Sequence, residues 1–388
     1  MLKNQLNKKI VFIFLFLMCT QFIPIEGQGV SSVKFSALCL TPFIWMLNFQ
    51  TFSKAFVWGI LYVMAIIFSA LYNIDSFRLE TFGYKVTLVV MFIMYYDLIH
   101  ISQALNLSDY IRFLRTLILA YFIILILQQA AIILGINSLP IINYMGSLNR
   151  GIGSNSLAIE PSHSARILSV LMLMFIRMYK LQLGRKSFGF LQFYIQNKLV
   201  VIGFLWAMIT MGSATAFVAL GILSLYFLNK SNFFKILAVL FVFYNSINYI
   251  NYEPLNRAKN VFESSMTLDQ EEVIEADGSA SRRIVPLLNT LAYLNLESQD
   301  AWLGKGIDSN RFSDFVSEDN IITEINDYGL ICYIILLIFF FSTCLIKLLS
   351  IESLFFVFLL GMTISNIAYA WGILMLFTTS KYFLSKKV

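Results

Sequence analysis

The stretch TLILAYFIILILQQAAIILGI, Thr116 to Ile136, contains no charged side chain. A helix needs about 20 predominantly apolar residues to cross the hydrocarbon core of a bilayer, and this run supplies them. Similar runs recur on both sides of it, so the chain reads as a membrane protein before any motif is considered. Composition points the same way. Hydrophobic residues make up 59% of the 388 and charged residues 13%, with a mean hydropathy of +0.75. A soluble domain carries about a quarter charged residues. These values predict an all-α polytopic membrane protein and exclude a globular enzyme on a single anchor. The lipid bilayer is then its first partner.

Towards the N-terminus, spans are expected near 86–104, 55–72, 33–50 and 10–26; towards the C-terminus, near 163–179, 199–211, 216–228, 234–251 and 324–346. The apolar stretch 351–384 is too long for one helix and is interrupted at Asn366 to Trp371, so it reads as two. That makes twelve spans. Residues 10–25 follow Lys3, Lys8 and Lys9 without a small-x-small cleavage site, which reads as an uncleaved first helix. With both termini inside, 17 of the 28 Lys and Arg fall on the cytoplasmic side, as the positive-inside rule requires. The net charge of +6 is scattered between apolar runs, a topology signal rather than a nucleic-acid footprint. Residues 199–228 carry Gly212-Ser213-Ala214-Thr215 at their centre and read as two short helices with a tight outer turn. A single tilted helix is the alternative.

The organisation expected is therefore 1–251 for helices 1–9 with short loops, 252–323 for one large outer loop, and 324–388 for helices 10–12. The loop is acidic, holding fifteen of the 22 carboxylates when counted on to Asp327. Within it, Pro254 to Met266 and Arg282 to Leu296 look helical, separated by Asp269 to Ser281. The cysteines Cys19, Cys39, Cys332 and Cys344 stand singly in apolar segments and read as small buried hydrophobes. No metal-ligand spacing, nucleotide-binding glycine loop or nucleophilic-serine motif occurs.

Chemistry concentrates in three outward-facing clusters. In the first, Arg150-Gly151-Ile152-Gly153 runs on to Glu160-Pro161-Ser162-His163-Ser164-Ala165. Pro161 suits the first turn of a helix, which puts Glu160 at the mouth of the sixth span. There Glu160 either takes a proton from an attacking hydroxyl or simply caps the helix; spacing does not separate the two. His163 either hydrogen-bonds a substrate or is incidental. In the second cluster, Ser281 is a natural N-cap, followed by Arg282 and Arg283. Two cations in a first turn oppose the helix dipole, which makes sense around a bound phosphate or beside the loop's carboxylates. The third holds Gly304-Lys305-Gly306, Arg311 and Asp319-Asn320, with Arg311 either a ligand contact or a solvated charge. Asp97 and His100, near the inner end of the fourth span, read as a local polar pair rather than a proton path, since two residues do not make a relay.

The Arg150…Gly153…Glu160-Pro161-Ser162…Ala165 stretch resembles the Arg…Gly…Glu-Pro-Ser pattern of Wzy-type O-antigen and capsule polymerases. Gly212-Ser213-Ala214-Thr215 is similar to the turn between two of their middle helices. Ser279 to Arg283 and Gly304-x-Gly306 look like parts of their large outer loop. Two departures stand out: Ala214 follows Ser213 where many relatives place an Arg, and Asp319-Asn320 stands where the related O-antigen ligases carry a His-Asn pair. The missing His favours polymerase over ligase. The resemblance implies a bacterial inner-membrane glycosyltransferase that polymerises undecaprenyl-diphosphate-linked oligosaccharide repeat units on the outer face. It implies a base role for Glu160, and diphosphate or substrate contacts by Arg150, Arg282, Arg283, His163 and Arg311. Expected protein partners are a chain-length regulator and a flippase, and the scheme calls for no cofactor or metal. The alternatives are an O-antigen ligase, differing in acceptor, and a flippase or other transporter, which would show repeat symmetry and charges lining its spans.

Overall fold

A computed structural model describes residues 2–21, 32–136, 139, 152–184, 189–227, 234, 238, 253–267, 294–307, 323–360 and 368–386. Helix is the regular secondary structure of the described residues, with no strand among them. In chain order the helices are α1 (Leu2–Cys19), α2 (Ser32–Asn48), α3 (Lys54–Tyr72), α4 (Leu79–His100), α5 (Leu107–Ile133), α6 (Pro161–Gln182), α7 (Phe190–Gln196), α8 (Lys198–Thr210) and α9 (Ala214–Ser224). Then follow α10 (Glu253–Thr267), α11 (Gln299–Leu303), α12 (Thr323–Cys344), α13 (Ile351–Leu360) and α14 (Ala368–Ser385). Among the described residues, four helices, α3, α4, α5 and the Glu324–Cys344 part of α12, are long and apolar enough to cross a membrane. A fifth span is formed if α7 and α8, bent 107° at Asn197, count as one. The expected span at 234–251, apart from residues 234 and 238, lies outside the described residues.

Local chemistry explains where helices start, bend and stop. α3 opens on Ser53, whose side chain accepts from the Phe56 amide at 3.1 Å. In α2, Pro42 cannot donate to the Leu38 carbonyl, and Thr41 Oγ1 donates to that oxygen at 2.7 Å. α5 ends on Gly135 at φ 70, with the Ile136 amide reaching back to the Ala131 carbonyl at 2.9 Å. Of the stretch 199–228, residues 199–227 are described, and they do divide into two helices, broken at Gly212, whose φ is 76. Two boundaries differ from the sequence reading. The C-terminal helix α14 already runs from Ala368, so Trp371 is helical and buried rather than part of a turn. Leu294 to Leu296 are not helical, and the short helix α11 follows them.

The chain divides into two compact units. Unit 1 comprises Met1–Cys19, Ser32–Leu105 and Leu268–Val388. In it α1 packs on α14, α2 on α4, α3 on α12, and α4 on α14, with the aromatic rings of Phe92, Phe339, Phe340 and Trp371 stacked edge to face. Unit 2 comprises Thr20–Ser31 and Asn106–Thr267. Its centre is α6, buried on every side from Ser164 to Ile176, with α5 and α9 against it and α8 against α5. Most of the residues α6 buries there are apolar, as expected of a helix at the core of a bundle, with Ser164, Arg166 and Ser169 as buried polar exceptions.

Candidate functional site

In unit 2 the segment from Gly153 to Glu160 is polar, yet Ser154, Asn155 and Ser156 are wholly buried. Irregular backbone can lie inside a membrane protein only if its amides and carbonyls find partners. Two glutamines supply most of them. Gln128 of α5 grips Ser156 twice: its Nε2 donates to the Ser156 carbonyl at 3.0 Å and its Oε1 accepts from the Ser156 amide at 2.7 Å. Ser156 has φ 52, a left-handed conformation uncommon outside glycine, and its hydroxyl donates to the Tyr121 carbonyl at 2.6 Å. Gln21, just past α1, grips the other half. Its backbone N–H donates to the Leu157 carbonyl at 2.7 Å, and its side-chain Oε1 accepts from the Ile159 amide at 2.8 Å.

This scaffold delivers Glu160 to the start of α6. Its extended backbone (φ −129, ψ 151) is that of an N-cap, and its carbonyl accepts from the His163 and Ser164 amides, both at 3.1 Å. Its side chain, however, makes no capping bond. Oε2 instead accepts from the Ser162 hydroxyl at 3.2 Å and faces His163 Nε2 at 4.0 Å. The Glu160 side chain is 44% exposed and that of His163 only 13%, so the carboxylate is accessible while the imidazole behind it is not. A carboxylate spared from capping, reachable from outside and backed by an imidazole, has the means to accept a proton.

Of the residues singled out in the sequence, the structure brings Glu160 and His163 together. Arg150, Arg282, Arg283 and Arg311 lie outside the described residues. Asp97 and His100 do not form a pair: Asp97 Oδ2 accepts from Trp45 Nε1 at 2.8 Å, whereas His100 stacks on Tyr96 and contacts Thr378 Oγ1 at 3.1 Å. Cys19, Cys332 and Cys344 are buried as expected of small hydrophobes; Cys39 is exposed.

Sequence reasoning missed three things. Gln21 and Gln128 look unremarkable because their partners are more than 25 residues away. Arg166, wholly buried one and a half turns into α6, was legible as the cation interrupting an apolar run. In unit 1, Lys85 of α4 and Glu324 of α12 form a buried ion pair at 2.8 Å, with side chains 5% and 3% exposed. The Tyr62 hydroxyl donates to the same Glu324 oxygen, and the Lys85 ammonium sits 4.0 Å from the Tyr328 ring centroid. Comparison with known protein families, with curated proteins and with solved structures gives no match to this chain.

Proposed function

We propose that the protein is a twelve-span polymerase of the bacterial inner membrane that joins undecaprenyl-diphosphate-linked oligosaccharide units on the outer face. The motif resemblance suggests the reaction. The observation that carries it is Glu160, a half-exposed carboxylate that leaves the capping bonds of α6 to its backbone. In this reading a sugar hydroxyl of the acceptor unit loses its proton to the Glu160 carboxylate. The freed oxygen attacks the anomeric carbon of the donor chain, and the bond from that carbon to the diphosphate oxygen breaks. Undecaprenyl diphosphate departs with the electron pair. Negative charge grows on that leaving group, where preorganised guanidinium groups lower the barrier. Arg150, together with Arg282 or Arg283, is assigned that role.

Glu160→Gln tests the reading. The amide matches the carboxylate in size and still accepts from Ser162, but it does not take up a proton near neutral pH. Cells in which this variant replaces the native gene should display single repeat units while the protein inserts at normal levels. Wild-type chain lengths would remove Glu160 from the chemistry.

A further inference from the structure

We infer that Gln21 is a positioning residue that fixes the tautomer of His163, making the Glu160–His163 pair a two-step proton acceptor. The Ile159 amide is a donor only, so the Gln21 atom 2.8 Å from it must be the carbonyl oxygen. The same oxygen lies 3.3 Å from His163 Nδ1. An oxygen that can only accept requires the hydrogen to be on Nδ1. In the neutral ring, Nε2 then carries the lone pair, and Nε2 is the nitrogen that faces Glu160 Oε2 at 4.0 Å. Gln21 is itself 6% exposed, with its backbone N–H bound to the Leu157 carbonyl and its side-chain oxygen bound by the Ile159 amide, so both ends of the residue are fixed.

The consequence is chemical. A lone pair facing a carboxylate gains nothing until one proton enters the gap, and then either atom can hold it. This inference rests on the base role proposed for Glu160. The acceptor hydroxyl's O–H bond breaks and its proton bonds to the carboxylate. That proton passes to Nε2, giving an imidazolium with hydrogens on both nitrogens, its Nδ1–H still donated to Gln21, and the carboxylate is restored. Water takes the Nε2 proton before the next transfer. With the opposite tautomer, Nε2 would already carry a hydrogen and the second step would be closed.

The chain has only two histidines, His100 and His163, which makes a direct measurement practical. The full chain, labelled with 15N-histidine and held in lipid nanodiscs, is observed by nitrogen NMR above the pH at which imidazolium titrates. Signals lost in His163→Asn assign the ring. The expected result is a pyrrole-type Nδ1 and a pyridine-type Nε2 for His163, retained in Gln21→Glu, whose carboxylate still accepts, and exchanged in Gln21→Leu. In the polymerisation assay Gln21→Leu should lower kcat by about tenfold or more with KM within about twofold, and Gln21→Glu should restore most of the rate. A pyridine-type Nδ1 in the wild type overturns the inference, as does a Gln21→Leu spectrum unchanged from it. Should Gln21→Leu fail to insert, the wild-type and Gln21→Glu spectra still decide. Failure of the polymerase reading would register separately, as wild-type chain lengths in Glu160→Gln beside an unaltered tautomer result.

Discussion

Neutralising Glu324 should destabilise the protein far more than an ordinary charge change. Lys85 Nζ lies 2.8 Å from Glu324 Oε1 with both side chains essentially sealed from solvent. Glu324→Gln retains the shape and an acceptor oxygen for Tyr62 and Lys85, but it removes the negative charge in direct contact with the buried Lys85 ammonium. Stranding one member of a buried pair costs about 3–5 kcal/mol, a large part of the roughly 5–15 kcal/mol that holds a native domain together. Lys85→Met strands the carboxylate instead, and the same range applies. Removing both charges, as in Lys85→Met with Glu324→Gln, leaves neither ion in an apolar interior. The double variant should therefore lose less than the sum of the singles, by about 1–3 kcal/mol. The measurement is unfolding in mixed micelles of rising SDS content, followed by tryptophan fluorescence and read as a double-mutant cycle. Single variants that each lose under about 1 kcal/mol, with losses that simply add, would refute the argument. The pair would then be a bystander that water or lipid headgroups already compensate.

Further outcomes follow from the same geometry. Gly329 (φ 86, ψ 167) and Gly304 (φ 83, ψ 166) both occupy a region reserved for glycine, and a Cβ on Gly304 would meet the Asp327 carbonyl oxygen at 2.5 Å; Gly304→Ala and Gly329→Ala should each cost more than about 2 kcal/mol in the SDS assay. Gln128→Leu leaves the Ser156 amide and carbonyl without their side-chain partner, a loss of about 2–5 kcal/mol read by the same titration. Replacing Arg282 and Arg283 separately by Lys keeps charge but removes the bidentate fork, and in purified protein one of the two should bind undecaprenyl diphosphate more weakly. Equal binding by both would leave Arg150 as the next candidate.

The class of this protein and the start of its candidate site were legible in the sequence because both depend on local chemistry. Apolar runs such as Thr116 to Ile136 make helices wherever they are placed, and Pro161 begins one because its missing amide hydrogen is not needed there. The break at Gly212 was equally readable, since a small-residue turn between two short apolar runs cannot easily continue one helix. Glu160 was visible as a carboxylate at a helix mouth, but its freedom from capping was not, because that is set by Ser162, His163 and the course of the preceding loop. Gln21 meets Ile159 across 138 residues and Lys85 meets Glu324 across 239. Nothing in the neighbourhood of either residue announces its partner. A buried polar group must find a complement somewhere, and only the packing of distant helices decides where.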